Sequence, residues 1–336
     1  MSLLEKIFLV IFLTIALIVL RNLSDSLSFL DSNLASLSEI SKKSFSIQPE
    51  KIKLVFVGDI MLDRGVALKV SKRGGGDWRF PFLKISDYLK NADLVFGNLE
   101  GPLSDRGRKT GSIYSFRMKP EAVSGLIFSN FKIVSLANNH ALDYGVEALV
   151  QTFEVLKEAG IEYVGAGLNF EEAYFPKIIT IKNKKFCFLA FTNLGGEFWR
   201  PKEIEPGLAY IENPEEIEPF LKKAKNSCDF VIVSLHAGTE YSKEPDDFQL
   251  NFARKAFETG ANLVIGHHPH VLQKFFRYQQ GYFISSLGNF IFDQNFSKDT
   301  MEGGILEVEI RGNKIVGVSL KRIRLNEDFQ PELVEN

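Results

Sequence analysis

The 336-residue chain has little cysteine, tryptophan or histidine, with 2, 2 and 5 residues, and almost no net charge, −2 at pH 7. Each scarcity removes a class of function. Two cysteines, Cys187 and Cys228, are too few and too far apart for a zinc knuckle. Cys187 sits in the apolar run Phe186–Phe191, which reads as an inert buried thiol; a disulfide with Cys228 is the other reading. A near-neutral chain lacks the basic surface that nucleic acid requires, so no nucleic-acid partner is expected. Phenylalanine is plentiful instead, with 30 residues, and we read it as core filling. Apolar residues at 45% and charged residues at 24% describe an ordinary globular chain, long enough for one large core or two modest ones.

The N-terminus is a different material. From Ile7 to Leu20 only Thr14 is polar, a run short for a spanning helix but suited to a signal-peptide core. No small-residue cleavage pattern follows, and Lys6 and Arg21 flank the run, so residues 1–21 read as an uncleaved membrane anchor in preference to a cleaved signal. Residues 22–50 carry nine serines and Leu23, Leu27, Leu30, Leu34 and Leu37, spaced alternately by four and three. That spacing suits an amphipathic stalk and, as a second reading, a dimerising neck.

The compact domain is expected over 51–325, with a C-terminal tail at 326–336. Apolar β-rich runs recur at Ile52–Val57, Leu94–Phe96, Ile133–Leu136, Phe186–Phe191, Phe230–Leu235, Leu263–Ile265 and Phe283–Ser285. Helical patterns at Val146–Ala159 and Asp247–Thr259 lie between some of them, which predicts an α/β layered body. A hairpin of Ile305–Ile310 and Ile315–Ile323 predicts a sheet that is not purely parallel. The Glu-, Pro- and Gly-rich segment Asn193–Pro219 reads as a rim loop.

Polar clusters follow six of the runs. They hold Asp59 and Arg64; Asn98 and Glu100; Asn138, Asn139, His140 and Asp143; His236 and Glu240; His267, His268 and His270; and Asn289. Every histidine of the chain falls in one of these clusters. Open α/β sheets bind ligands beyond the carboxyl ends of their strands. Each residue alone is an ordinary cap, turn or half-buried histidine. Together they make a nitrogen and oxygen donor set suited to zinc, manganese or iron. In His268-Pro269-His270 an extended backbone would aim both histidines into one cleft, with His267 facing away in a supporting role.

In this order, Gly58–Arg64, Asn98–Leu103, Ala137–Gly145, Ser234–Tyr241, His268–Gln273 and Ser286–Phe290 resemble the motifs of the bacterial capsule-synthesis CapA family, associated with poly-γ-glutamate. That family resembles a branch of the calcineurin-like metallophosphoesterases. The resemblance implies a four-layer α/β/β/α sandwich of two mixed sheets, a site for one or two divalent ions, and an extracytoplasmic domain on a single-pass anchor. It also implies capsule synthase or export proteins as partners. By that pattern Asp59, Glu100, Asn139, His236, His268 and His270 would hold metal. Two departures stand out. Met61 lies where the phosphoesterase first motif has histidine, and Gly97-Asn98-Leu99-Glu100 replaces a Gly-Asp-x-x-Asp motif.

The expected activity is metal-dependent hydrolysis of a phosphoester or related centre, a divalent ion lowering the pKa of the attacking water. His140, oriented by Asp143, is the expected general acid. Arg64, Asn98, Arg117 and Asn289 are expected to contact an anionic substrate, whether phosphate or polyglutamate. The competing reading is a non-catalytic component that binds an anionic polymer within a capsule assembly or export complex.

Overall fold

A computed structural model describes residues 2–44, 49–278 and 281–334. Residues 45–48 of the expected stalk and 335–336 of the expected tail lie outside them. The chain divides into two units, Met1–Pro49 and Glu50–Asn336.

The first unit is one helix, Leu3–Ser44, of 42 residues and about 63 Å at 1.5 Å per residue. The division expected at Arg21 is not a structural break. Neither glycine nor proline occurs in the span, and the hydroxyls of Ser26, Ser28, Ser32, Ser36 and Ser38 hydrogen-bond to carbonyls three or four residues earlier. Serine therefore sits in the helix without interrupting it. The helix is long and apolar enough to cross a membrane. Leu23, Leu27, Leu30, Leu34 and Leu37 are exposed along it.

In the second unit the described residues form two large mixed sheets. The first runs, in spatial order, Pro331–Leu333, Lys314–Leu325, Glu302–Arg311, Lys51–Ile60, Leu94–Leu99, Phe131–Ser135 and Glu162–Val164, with Asn289–Ile291 paired to the end of Lys51–Ile60. The second runs Phe275–Tyr278, Gly281–Ile284, Leu263–His267, Phe230–His236, Lys184–Thr192 and Lys177–Ile181. Alternation along the strands builds the layers. Leu54 and Phe56 face a core shared with Phe186, Phe188, Ile232 and Ile265 of the other sheet. Val55 and Val57 face the opposite way, toward Leu149, Phe153 and Leu156 of the helix Gly145–Glu158. Beyond the second sheet, Val231 and Val233 pack against Leu221 and Phe252 of two further helices, Glu218–Ser227 and Asp247–Thr259. The result is the expected α/β/β/α sandwich. The helix Asp247–Thr259 has the predicted bounds, because Asp246 and Gln249 form a capping box and Gly260 ends it at φ 112°.

Three expectations are corrected. The C-terminal tail is part of the sheet, because Pro331–Leu333 pairs antiparallel with Ile323–Leu325. The Asn326 amide bonds Gln330 and Glu332 and turns the chain back. The rim loop has structure of its own, with short turns at Glu197–Trp199 and Pro214–Ile217 and a strand, Gly207–Leu208, paired to Ala166–Gly167. The Cys187 thiol is not free. It is bonded to Cys228, with Cα atoms 5.7 Å apart. Burial on its strand puts Cys187 beneath the helix Glu218–Ser227, whose last turn delivers Cys228. The bond closes a sequence separation of 41, so a Cys187→Ser/Cys228→Ser chain should lose about 2–4 kcal/mol of stability. Urea denaturation with and without reductant checks this: wild type should fall to the variant's midpoint, and an unmoved midpoint would contradict it.

Candidate metal centre

The parallel strands of both sheets point their carboxyl ends at one place. In the first sheet Asp59 is in register with Asn98 on one side and Asn289 on the other. In the second, His236 and His267 are in register at the ends of adjacent strands. Close backbone approach makes this possible at two glycines. A Cβ on Gly58 would collide with the Gly288 carbonyl, and one on Gly266 with the Ser285 carbonyl. The Asp59 amide donates to that Gly288 carbonyl at 3.0 Å.

Asn98 is the hub of the buried cluster. Its amide nitrogen donates to Asp59 Oδ1 at 2.8 Å and lies 3.3 Å from Glu100 Oε2 and 3.2 Å from His236 Nδ1. Its oxygen accepts from the Asn138 amide at 3.1 Å. Asn98 is fully buried and its amide is spent on these partners, whereas the sequence reading expected it to contact substrate. Asn289 is corrected in the same way: its oxygen is 3.0 Å from His270 Nδ1, and its nitrogen donates to Gln294 and the Thr300 carbonyl. Holding Nδ1–H of His270 leaves the Nε2 lone pair free, 3.6 Å from Glu100 Oε1. Asn139 Oδ1 lies 2.8 Å from His236 Nε2. Both His236 nitrogens are thus engaged, and a metal would need one of the two carboxamides to yield.

The segment after Leu263–His267 is not extended. His268 and His270 have φ of 96° and 58°, a left-handed backbone on both sides of Pro269, so a tight turn and not strand alternation aims them inward. The Tyr241 amide donates to the Pro269 carbonyl at 2.8 Å, which pins the turn after His236 against this one. His267, expected to face away, faces the cluster: Nδ1 is 3.3 Å from Asp59 Oδ1, a close contact short of an aligned hydrogen bond.

The electrostatics suit a divalent cation. Burial, with Asp59, Glu240 and Asp143 nearby, raises the Glu100 carboxyl well above its ordinary pKa. Burial lowers the His236 pKa well below the usual value, and with His270 it lowers that of His268 to about 3. Burial also lowers the His270 pKa. Burial pushes Asp59 upward, but the contacts with His267, His270 and Asn98 outweigh it and the net shift is downward. Neutral histidines offer lone pairs, and a buried carboxyl such as Glu100, raised by burial and by the carboxylates around it, is relieved by a dication. Glu100 Oε1 and His268 Nδ1 are buried without hydrogen-bond partners, each an expensive arrangement unless something binds there. Ligand atoms of Asp59, Glu100 and His236 lie within 4.8 Å of one another, as do those of Glu240, His268 and His270. The donor set fits a divalent metal.

A cleft of about 350 Å³ opens over the cluster, lined by Arg64, Tyr114, Phe116, His140, Glu240, Tyr241, His270, Asp293, Gln294 and Phe296. His140 Nδ1 is 2.7 Å from Asp143 Oδ2, its Nε2 is 3.8 Å from Glu100 Oε1, and its ring packs on Phe116 at 4.1 Å. Asp143 also accepts from the Phe116 amide at 2.8 Å. Arg64 reaches the cleft wall, ion-paired to Asp293 and stacked on Phe116. Arg117 does not line the cleft; its guanidinium lies over Tyr144. Met61 is fully buried in an apolar plug with Phe116 and Phe292, its sulfur accepting from the Asp63 amide at 3.1 Å. Nothing in the sequence singles out Glu240 beyond its place four residues after His236.

The family model "Bacterial capsule synthesis protein PGA_cap" matches residues 53–294. The chain belongs to this family. It is 35% identical over 272 residues to the capsule biosynthesis protein CapA of Bacillus anthracis, covering 79% of this chain and 65% of that one. To the PGA biosynthesis protein CapA of Bacillus subtilis it is 32% identical over 263 residues, covering 77% and 67%. The chain thus spans 65% of the length of the B. anthracis relative. The crystal structure of a novel phosphatase from Mycoplasma pneumoniae superposes with a TM-score of 0.50 at 16% identity, covering 82% of this chain and 94% of that one. At 16% identity the likeness is one of fold alone. All six motif segments of this family member border the cluster or its cleft.

Proposed function

We propose that this chain is a membrane-anchored, metal-dependent hydrolase acting on poly-γ-glutamate or a related anionic envelope polymer. The observation that carries the reading is the convergence of buried, unpartnered donors, Glu100 Oε1 and His268 Nδ1, among Asp59, His236 and His270. Asp59, Glu100, His236, His268 and His270 would hold the metal, with Asn139 available beside them. A divalent ion there supplies Lewis-acid polarisation and an acidified water.

The chain's own residues do the rest. Asp143 holds Nδ1 of His140, so Nε2 faces the cleft and protonates the leaving group. Arg64 offers an anchored guanidinium to a carboxylate or phosphate. Arg108 and Lys109 are exposed on a loop whose Arg108 and Thr110 amides bond the Tyr144 and Asp143 carbonyls, which brings positive charge near the mouth. The disulfide supports an extracytoplasmic domain, because such bonds persist in oxidising compartments. The helix Leu3–Ser44 supports the anchor, and its exposed leucine seam supports dimerisation through the stalk.

A second reading, a polymer-binding component without turnover, is favoured by one observation: Met61 sits in an apolar plug where the phosphoesterase motif has a ligand. One experiment separates the two. Full-length chain in detergent is supplied with Mn²⁺ and assayed on model phosphoesters and on polyglutamate. The hydrolase reading expects turnover that falls about 10²–10⁴-fold in Asp143→Asn, with metal content unchanged. Polyglutamate binding without turnover on any substrate would leave the second reading.

A further inference from the structure

The structure places one more donor at the cluster, and it lies outside the set implied by the phosphoesterase pattern. We propose that Glu240 is a metal ligand that completes, with His268 and His270, a second divalent-cation seat beside the seat formed by Asp59, Glu100 and His236. It supplies the donor that Met61 withholds. The inference rests on reading this site as a metal centre.

Geometry carries it. Ligand atoms of Glu240, His268 and His270 fall within 4.8 Å of one another, a spacing that one ion can span. Glu240 is exposed and the two histidines are buried, so the turns that carry them set the meeting. Gly238, at φ 112°, and Tyr241, at φ 63°, fold the chain after His236 into a tight turn. The Tyr241 amide then bonds the Pro269 carbonyl, between the two histidines, which sets Glu240 beside them. A second observation belongs to the same trio: His268 is 6% exposed, and its Nδ1 has no hydrogen-bond partner. The two seats adjoin, since Glu100 Oε1 is 3.6 Å from His270 Nε2. Adjoining seats are what a two-metal hydrolytic site would require.

The chemistry of the exchange is consistent. A thioether is a poor donor for manganese or zinc, and the Met61 sulfur is already taken by the Asp63 amide. A carboxylate is a good donor, and three of them, Asp59, Glu100 and Glu240, offset much of the charge of two dications, while the neutral histidines add lone pairs. Among the described residues Glu240 has no ion-pair partner that would hold it away, and it lines the open cleft.

The test uses full-length chain stripped by chelator and titrated with Mn²⁺, read by calorimetry, metal analysis and electron paramagnetic resonance. Wild type should take up two Mn²⁺ and show the signal of an exchange-coupled pair. Glu240→Gln should keep one Mn²⁺ with an isolated-ion signal, bind the second about 10–100-fold more weakly, and melt at the wild-type temperature. Glu240→Asp should retain the coupled pair. Two Mn²⁺ bound to Glu240→Gln at wild-type affinity would overturn the inference and leave the metal centre standing. No Mn²⁺ bound to wild type would overturn the metal-centre reading itself.

Discussion

Asp59→Asn is expected to strip the protein of tightly bound metal and to cut metal-dependent turnover by about 10³-fold or more, near 4 kcal/mol of barrier. The Asp59 carboxylate meets four members of the cluster. Its Oδ1 accepts from Asn98, its Oδ2 accepts from the His268 amide at 3.2 Å and lies 3.6 Å from His270 Nδ1, and His267 stands 3.3 Å away. The substitution keeps shape and removes charge. It also turns one oxygen into a donor facing the Asn98 amide or the His268 amide, so the hub and the histidine turn lose a shared acceptor. Metal analysis after dialysis, beside a turnover assay and a circular dichroism spectrum, checks the result. A folded Asp59→Asn chain that retains wild-type metal would remove Asp59 from the ligand set.

The second large effect is on stability. Phe188→Ala should cost about 3–5 kcal/mol and lower the melting temperature by on the order of 10 °C. Phe188 is fully buried between the sheets and stacks on Phe96 of the opposite sheet, ring centroids 5.8 Å apart. Truncation leaves a cavity between two strand layers that cannot collapse without sliding past each other. Phe96 is two residues before Asn98, so the same cavity loosens the hub of the metal cluster. A urea midpoint that drops at unchanged slope would show a pure stability loss. A cost below about 1 kcal/mol would mean the inter-sheet core repacks freely, and the rigid two-sheet platform would need revision.

Much of this was legible in the chain. Apolar runs ending in polar clusters locate both the strands and the site, because strands bury their bodies and release their ends. Family motifs supply the four-layer order. Asp59, Glu100, His236, His268 and His270 stand together where the carboxyl ends of the two sheets meet. The errors share a cause. Asn98 and Asn289 read as substrate contacts because a carboxamide after a strand looks the same whether it faces a cleft or a buried carboxylate. Cys187 read as a free thiol because only packing shows which helix end lies above its strand.

The sequence by itself determined the layered architecture, the apolar N-terminal helix and the strand ends that carry donors, all properties of local pattern and period. Only the tertiary structure decided which donors meet. Glu240 joins His268 and His270 through a hydrogen bond between two left-handed turns from different strands, and Met61 packs between Phe116 and Phe292. Such contacts depend on backbone direction at single residues far apart in the chain, and no periodicity encodes them.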